Sequence, residues 1–456
     1  MLFRSKCNTS NSHEKSVILH LVDFLPNLNF QNCELAQKNS STHSEHNHIS
    51  LSNLTKLFEK LQNQWTEFSH FAHKKSFSKK FSHLESIYVS QGGTIDVTIS
   101  YTLQSILLST SNGCIHFFEL KKSSLENGIS IITKNGKTRM NCCRKLLGSV
   151  RFNVRYSPTF VCVEECLDEY LINSNALSNS NVPHVIVSCE SCRVVKFNLI
   201  ELLKQAKENH MKSLETSTDL SHHNIPISNI APVWSCEKFS LPAGLCLWKD
   251  NSNSTEHWFS HEIGNDESNA QNILNSKTFV VVTDYSKKQI LFLNSKTGQV
   301  MNIFDNFACL IRPYDVECIG ENEIMFIDQR SSNYSQIFVM KFQQQPSNDS
   351  QLFRKKMPMS NEKEWMKAGE GKATTKTSPK ALVYDKISQT IIMSDLSNDS
   401  IKILTKDGNC VLTSFGTTGD ATSNSHFTVP QGLFLDQFTG ELFVCDYHNQ
   451  RVQIFQ

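Results

Sequence analysis

Between Val429 and Phe455 the chain forms three short segments whose side chains alternate with a period of two, and polar turns separate these segments. The apolar positions that define the three segments are Leu433 and Leu435, Leu442 and Val444, and Val452 and Ile454. A period of two is typical of β-strands. This part of the chain therefore predicts a three-stranded antiparallel meander.

The same pattern occurs upstream at a constant offset of 51 positions, which indicates an internal repeat. The matched pairs are Pro379 and Pro430, Asp395 and Asp446, and Asn398 and Asn449. Weaker copies with strand–turn–strand form begin near Ser105, Val185, Leu241 and Arg312. The sequence thus predicts about six repeated units.

The last repeat resembles the NHL family, whose pattern is P-x-G-L, a turn, and then F-V-x-D-x-x-N-x-R-V-x-I-F. The positions that match it are Pro430, Gly432, Leu433, Val444, Asp446, Asn449, Arg451, Val452 and Ile454. The preceding repeat has Ala381 in place of the glycine and Ser400 in place of the arginine. The resemblance implies a mainly β fold, a six-bladed NHL-type β-propeller over residues 82–456, whose blades stack around an axis.

The last predicted blade has three strands, one fewer than a blade requires. Residues 83–90 have the form of a strand and precede the first complete unit, so we expect them to supply the fourth strand and close the ring, which removes exposed sheet edges. A truncated chain is the alternative explanation. The expected blades span residues 94–150, 158–236, 240–305, 310–372, 376–426 and 427–456.

Residues 1–75 have helical rather than strand periodicity, with a polar insertion at 38–50 that is rich in His, Ser and Asn. An apolar stretch at helical spacing begins at Val17 and stops at Pro26. A short second helix is predicted for residues 30–36, and a strongly amphipathic third helix for residues 51–73. Its apolar face consists of Leu54, Leu57, Phe58, Leu61, Trp65 and Phe68.

A helix that ends in Leu-Pro and a later helix with a central tryptophan resemble an F-box. The resemblance implies docking to the adaptor subunit of an SCF-type ubiquitin ligase through Val17, Leu21, Leu25, Pro26 and Trp65. The region lacks the family's opening Leu-Pro pair, and Asn63-Gln64 replaces its Cys-Lys pair. Two other interpretations stay open: a helical cap on the propeller, and a helix on a membrane surface.

Composition and charge narrow the functional classes. The formal net charge is +1, which gives no overall preference for nucleic acid or for an anionic membrane. No apolar run approaches the roughly 20 residues that span a bilayer, and the N-terminus lacks the core of a signal peptide. The 15 cysteines are irregularly spaced. We therefore expect a cytoplasmic protein with reduced thiols and no membrane partner.

Motifs that would indicate an enzyme are absent from the sequence, including a nucleophile elbow, a Walker loop and a zinc-protease motif. The repeats show no histidine or carboxylate at equivalent axial positions, so we expect no catalysis and no cofactor. We expect Asp446, Asn449 and Arg451 to bond the turn and tie neighbouring blades. Four cysteines are candidate zinc ligands because thiolates bind zinc tetrahedrally, namely Cys162, Cys166, Cys189 and Cys192. The alternative is that they are ordinary buried thiols on strands.

Three functions are compatible with these features, because a fold alone does not determine function. In the first, a propeller face captures a substrate protein for an SCF-type ubiquitin ligase. In the second, the chain is a non-enzymatic NHL scaffold that binds protein, with the N-terminal helices as a cap. In the third, the propeller binds RNA through a basic face, against which the near-neutral charge argues.

Overall fold

The computed structural model describes one compact unit of the chain, which lies within Ser69–Gln456. The described residues are 75–90, 92–121, 129–132, 138–142, 144–153, 156–165, 182–215, 225–249, 278–305, 310–320, 323–331, 334–341, 377–408 and 410–456. The predicted N-terminal helices lie outside these residues, and so do Val17, Leu21, Leu25, Pro26 and Trp65.

Six antiparallel sheets form the blades of a β-propeller. Five blades have four strands each, and the described part of blade 4 has three. The innermost strands of successive blades contact each other around the ring, and the innermost strand of blade 6 contacts that of blade 1. The prediction of a mainly β, six-bladed propeller is therefore confirmed.

In every blade the strands follow one another from the axis outwards in chain order, except that β1 (His83–Tyr88) is the outermost strand of blade 6. Blade 1 contains β2 (Thr94–Ser100), β3 (Ser105–Thr110), β4 (Cys114–Glu119), an inserted hairpin of β5 (Ile129–Ile132) and β6 (Thr138–Cys142), and β7 (Leu146–Arg151). Blade 2 contains β8 (Pro158–Glu164), β9 (His184–Cys189), β10 (Arg193–Asn198), an inserted helix α1 (Leu199–Glu215) and β11 (Trp234–Cys236). Blade 3 contains β12 (Pro242–Lys249), β13 (Thr278–Asp284), β14 (Gln289–Asn294) and β15 (Val300–Phe304).

The second half of the ring follows the same order. Blade 4 contains β16 (Pro313–Gly320), β17 (Glu323–Ser331) and β18 (Tyr334–Lys341). Blade 5 contains β19 (Pro379–Asp385), β20 (Thr390–Asp395), β21 (Ser400–Thr405) and β22 (Val411–Phe415). A short parallel pair, β23 (Thr417–Thr418) and β24 (His426–Phe427), leads to blade 6, which contains β25 (Pro430–Asp436), β26 (Glu441–Asp446), β27 (Arg451–Phe455) and β1.

Strand β1 closes the ring, because it pairs antiparallel with β27 and places Ile87 opposite Val452. Arg144 reinforces this closure from the connection that precedes β7. Its buried guanidinium forms ion pairs with Glu85 in β1 and, at 2.9 Å, with Glu441 in β26. The outermost strand of blade 6 thus comes from the opposite end of the propeller sequence.

Buried apolar side chains form six clusters, one between each pair of neighbouring blades. Successive side chains of a strand point to opposite faces of its sheet, so each blade contributes to two clusters. Between blades 6 and 1, for example, Val452 and Cys445 pack with Val97 and Ile106. Stacking of the blades is therefore what buries the alternating apolar positions.

Helix α1 is a feature that the sequence interpretation missed. Leu199, Leu202, Leu203 and Ala206 are buried at helical spacing, and the Asn198 side chain caps the helix by accepting the Ile200 N–H at 3.0 Å. The helix backbone lies directly against Gly148 of β7, where a side chain would overlap the Ala206 carbonyl. The spacing of these leucines in the sequence is typical of a helix, but the helix lies directly between segments with strand patterns and was not distinguished from them.

Candidate functional site

The residues of the predicted repeat lie at the face of the ring where each inner strand begins, which we call the proline face. Pro379 and Pro430 are the first residues of their inner strands and pair with Asp395 and Asp446, the last residues of the second strands. The equivalent pairs in blades 1 to 4 are Thr94 with Thr110, Pro158 with Cys189, Pro242 with Asp284, and Pro313 with Asp328. The geometry thus repeats in all six blades, although the residue types vary.

Each of these aspartates holds the connection that enters its blade. Asp446 accepts the Thr428 N–H at 2.8 Å, Asp395 accepts the Ser378 N–H at 2.9 Å, and Asp284 accepts the Ser240 N–H at 2.8 Å. Proline contributes no N–H at the start of the strand, so the carboxylate bonds the amides immediately before it. The Pro–Asp pair is therefore a structural joint between blades.

The last blade extends this joint with Asn449 and Arg451. The Asn449 amide donates to Asp446 at 2.9 Å and to the Gly419 carbonyl at 3.0 Å. The Arg451 guanidinium donates to Asp446 at 2.9 Å. It also donates to three carbonyls of the β23–β24 segment, those of Ala421 at 3.2 Å, Ser423 at 2.9 Å and His426 at 2.8 Å.

Both members of the Asp446–Arg451 ion pair are fully buried. Burial raises the pKa of Asp446, while the Thr428 N–H, the guanidinium and the Asn449 amide act in the opposite direction. The partners of Arg451 named above all belong to this chain. The trio therefore ties the β23–β24 segment to blade 6.

Blade 5 has a variant of the same network. The Asn398 amide donates to Asp395 at 2.6 Å, and Ser400 occupies the position of the arginine. Lys402 supplies the cation instead, because its ammonium forms a buried ion pair with Asp395. Positions 400 and 402 lie on the same side of β21, so the positive charge has moved along one face of the strand.

Carboxylates do occupy equivalent axial positions, contrary to the expectation from the sequence. Asp96 and Asp315 each lie two residues after the start of an inner strand, in blades 1 and 4. Asp96 accepts the Val161 N–H of blade 2 at 2.9 Å, and Asp315 accepts the Leu382 N–H of blade 5 at 2.9 Å. Burial raises the pKa of Asp96 to about 8 and that of Asp315 to about 7.

Glycines make room for these two carboxylates in the preceding blades. A Cβ on Gly432 would overlap the Asp96 carboxylate and would lie 2.6 Å from the Ile95 carbonyl oxygen. A Cβ on Gly244 would lie 2.5 Å from the Asp315 carboxylate and 2.6 Å from its Cα. The Gly–Asp arrangement recurs three blades apart, on opposite sides of the axis. Each aspartate connects the inner strand of its own blade to the inner strand of the next blade by a hydrogen bond.

Thiols occupy the next part of the inner strands. The thiol of Cys318 in blade 4, together with burial, raises the pKa of Cys246 in blade 3. Burial also raises the pKa of Cys162 in blade 2. Within the described residues, no group of three or more His, Cys, Asp or Glu side chains is arranged to hold a metal ion. Of the other zinc candidates, Cys189 ends β9, Cys192 is exposed in the following turn, and Cys166 lies outside the described residues.

Aromatic and cationic side chains of blades 2 to 5 contact one another at the proline face. The Tyr314 ring lies 5.5 Å from that of Phe160 and 6.1 Å from that of Tyr285. The Lys380 ammonium lies 3.7 Å from the centre of the Tyr314 ring, and the Arg312 guanidinium lies 5.8 Å from that of Tyr285. We call Tyr285, Arg312, Tyr314 and Lys380 the channel rim.

The channel rim spans blades 3 to 5. Its Tyr314 also reaches Phe160 of blade 2, since the intervening inner strand of blade 3 has the small residues Ala243 and Gly244 at its start. Lys380 is half-buried, and burial lowers its pKa to about 8 while Asp315 opposes this shift. These residues occur in repeats that match the pattern weakly. Sequence reasoning therefore gave no reason to single them out.

No protein-family model matches the chain, and no curated protein matches it. The one described helix, α1, is not long and apolar enough to cross a membrane. The geometry of the ring and of the channel rim is therefore the basis for assigning a function.

Proposed function

We propose that this chain is a non-enzymatic, NHL-type propeller that binds a partner protein on its proline face. The observation that carries this proposal is the channel rim, in which two tyrosines and two cations form a continuous set across blades 3 to 5. Tyrosine and arginine are the residue types that dominate protein interfaces energetically. The rigid ring beneath them reduces the entropy lost on binding.

The NHL assignment rests on the match from Pro430 to Arg451 and on the Pro–Asp joints of blades 3 to 6. We further propose that the protein is the cytoplasmic substrate receptor of an SCF-type ubiquitin ligase. In this proposal the F-box-like region contacts the adaptor subunit, and the propeller binds the substrate. The residues that would contact the adaptor are Val17, Leu21, Leu25, Pro26 and Trp65.

Photo-crosslinking tests which face binds the partner. A photo-reactive amino acid at Ser286, exposed in the turn between β13 and β14 on the proline face, is expected to capture a discrete partner protein in cells. The same amino acid at Lys406, exposed in the turn between β21 and β22 on the opposite face, is the matched control. Mass spectrometry of the crosslinked products identifies the partner.

The two positions give opposite results if the proposal is correct. A partner captured from Ser286 and absent from the Lys406 sample supports recognition on the proline face. Capture of the same protein from Lys406 alone would place the interface on the opposite face and refute the proposal.

The ligase role has a separate test. Leu25→Ala/Pro26→Ala in the full-length chain is expected to abolish co-precipitation of the ligase adaptor and cullin, because it removes the apolar end of the F-box-like helix. Val411→Ala/Leu412→Ala is the control, since both side chains are exposed on β22. If neither the native chain nor the control precipitates the adaptor, the chain is a protein-binding scaffold without a ligase role.

A further inference from the structure

Five cations lie on the proline face between the end of blade 2 and the inner strand of blade 5, and we call them the basic arc. Two are in the turn between β13 and β14, and the others lie at or just before the inner strands of blades 3, 4 and 5. They are Lys238, Lys287, Lys288, Arg312 and Lys380. Lys238 and Lys287 are close enough to act together on the Cys236 thiol, whose pKa burial raises and these two charges lower.

The protein itself holds several of these cations in place. The Lys287 ammonium donates to the Lys238 carbonyl, and the Lys287 N–H donates to Asp284 at 3.1 Å. Arg312 and Lys380 lie over the rings of Tyr285 and Tyr314. Lysine and arginine side chains lose much rotamer freedom when they bind a ligand, so cations that are already ordered bind at a lower entropy cost.

We propose that the basic arc binds an acidic segment of the partner protein, in which aspartate or glutamate side chains pair with these cations. This proposal rests on the function proposed above and specifies the chemistry of the ligand. Complementary charge of this kind accelerates association and selects among partners. The acid next to the arc in sequence, Glu237, pairs with Arg193 at 2.5 Å, so its charge is already matched within the propeller.

Cations also bind the phosphates of RNA, but the geometry of the channel rim favours protein as the ligand. Proteins that bind single-stranded nucleic acid stack bases on aromatic rings. Here Lys380 covers a face of Tyr314, Arg312 lies over Tyr285, and the two rings contact each other edge to face. The rings are thus engaged by cations of the protein itself, and the net charge of the whole chain is only +1.

A binding titration with the full-length protein tests the proposal. The probes are a fluorescent oligo-glutamate peptide and an oligo-uridine RNA of equal length. Lys287→Glu/Arg312→Glu is expected to weaken peptide binding at least about tenfold, equivalent to about 1.4 kcal/mol. Lys204→Glu/Lys207→Glu changes the net charge by the same amount on the exposed side of α1 and is expected to leave binding unchanged.

If both double variants weakened peptide binding equally, only net charge would matter and the proposal would be overturned. Failure of the unmodified protein to bind the peptide would also overturn it. Tighter binding of the RNA would overturn it in favour of nucleic acid. Crosslinking from Ser286 separates this proposal from the previous one. If Ser286 still captures the partner in Lys287→Glu/Arg312→Glu, the proline face remains the interface but the acidic ligand is excluded. If Ser286 captures no partner in the protein with an unchanged basic arc, recognition on this face is refuted.

Discussion

Arg451→Met is expected to lower the free energy of unfolding of the propeller by about 3–5 kcal/mol, the range for removal of one partner from a buried ion pair. The substitution leaves the Asp446 carboxylate without its cation at a fully buried site. It also removes the donors to the carbonyls of Ala421, Ser423 and His426. Urea unfolding followed by tryptophan fluorescence measures the change.

Arg312→Met is the control for this substitution, because it makes the same chemical change to an exposed side chain. We expect it to change the stability by no more than about 0.5 kcal/mol. A loss of less than about 1 kcal/mol for Arg451→Met would contradict a structural role of the pair. The Asp446, Asn449 and Arg451 trio would then have to be reconsidered as a ligand site.

Gly432→Ala is expected to destabilise the ring by about 3 kcal/mol, at the upper end of the usual range for overpacking. The new methyl group would meet the Ile95 carbonyl oxygen at 2.6 Å and the Asp96 Cα at 2.7 Å. Backbone atoms cannot move aside as a flexible side chain can. The inner strands of blades 6 and 1 would have to separate, which would also disturb the hydrogen bond that the Val161 N–H donates to Asp96. The midpoint of thermal unfolding reports this loss.

Gly320→Ala is the matched control, since the nearest atom to its Cβ would lie at 3.7 Å, an ordinary contact distance. We expect Gly320→Ala to unfold like the native protein. We expect Gly244→Ala to behave like Gly432→Ala, because it meets Asp315 in the equivalent way. If Gly432→Ala unfolded at the native temperature, the close approach of the two inner strands would be wrong.

The architecture was predictable from the sequence because blade geometry imposes local patterns. The Pro–Asp pairing requires a proline at the start of one strand and an aspartate at the end of the next, so a fixed offset reveals it in blades 5 and 6. The closing position of residues 83–88 follows from the count of strands in the last blade. Turn chemistry and period-two alternation are short-range, so one sequence suffices to detect them.

The rest depends on contacts between residues that are distant in sequence. Asp96 accepts the N–H of Val161, and Tyr314 of the channel rim contacts both Phe160 and Tyr285. No short spacing encodes such contacts, which appear only when the blades stack. The ion pair of Lys402 was also not predictable from the repeat pattern, although it forms within one blade. Lys402 pairs with Asp395 from a different position than the arginine that the pattern expects.

The pairing of β1 with β27 has a consequence for synthesis of the protein on the ribosome. Translation produces β1 before any blade exists, whereas its partner Arg451–Phe455 emerges after all the other strands. Until then β1 lacks the strand with which it pairs, and blade 6 is incomplete. Unpaired strand edges and exposed apolar faces favour aggregation while a chain is incomplete. The propeller therefore completes its last blade only after translation of β27.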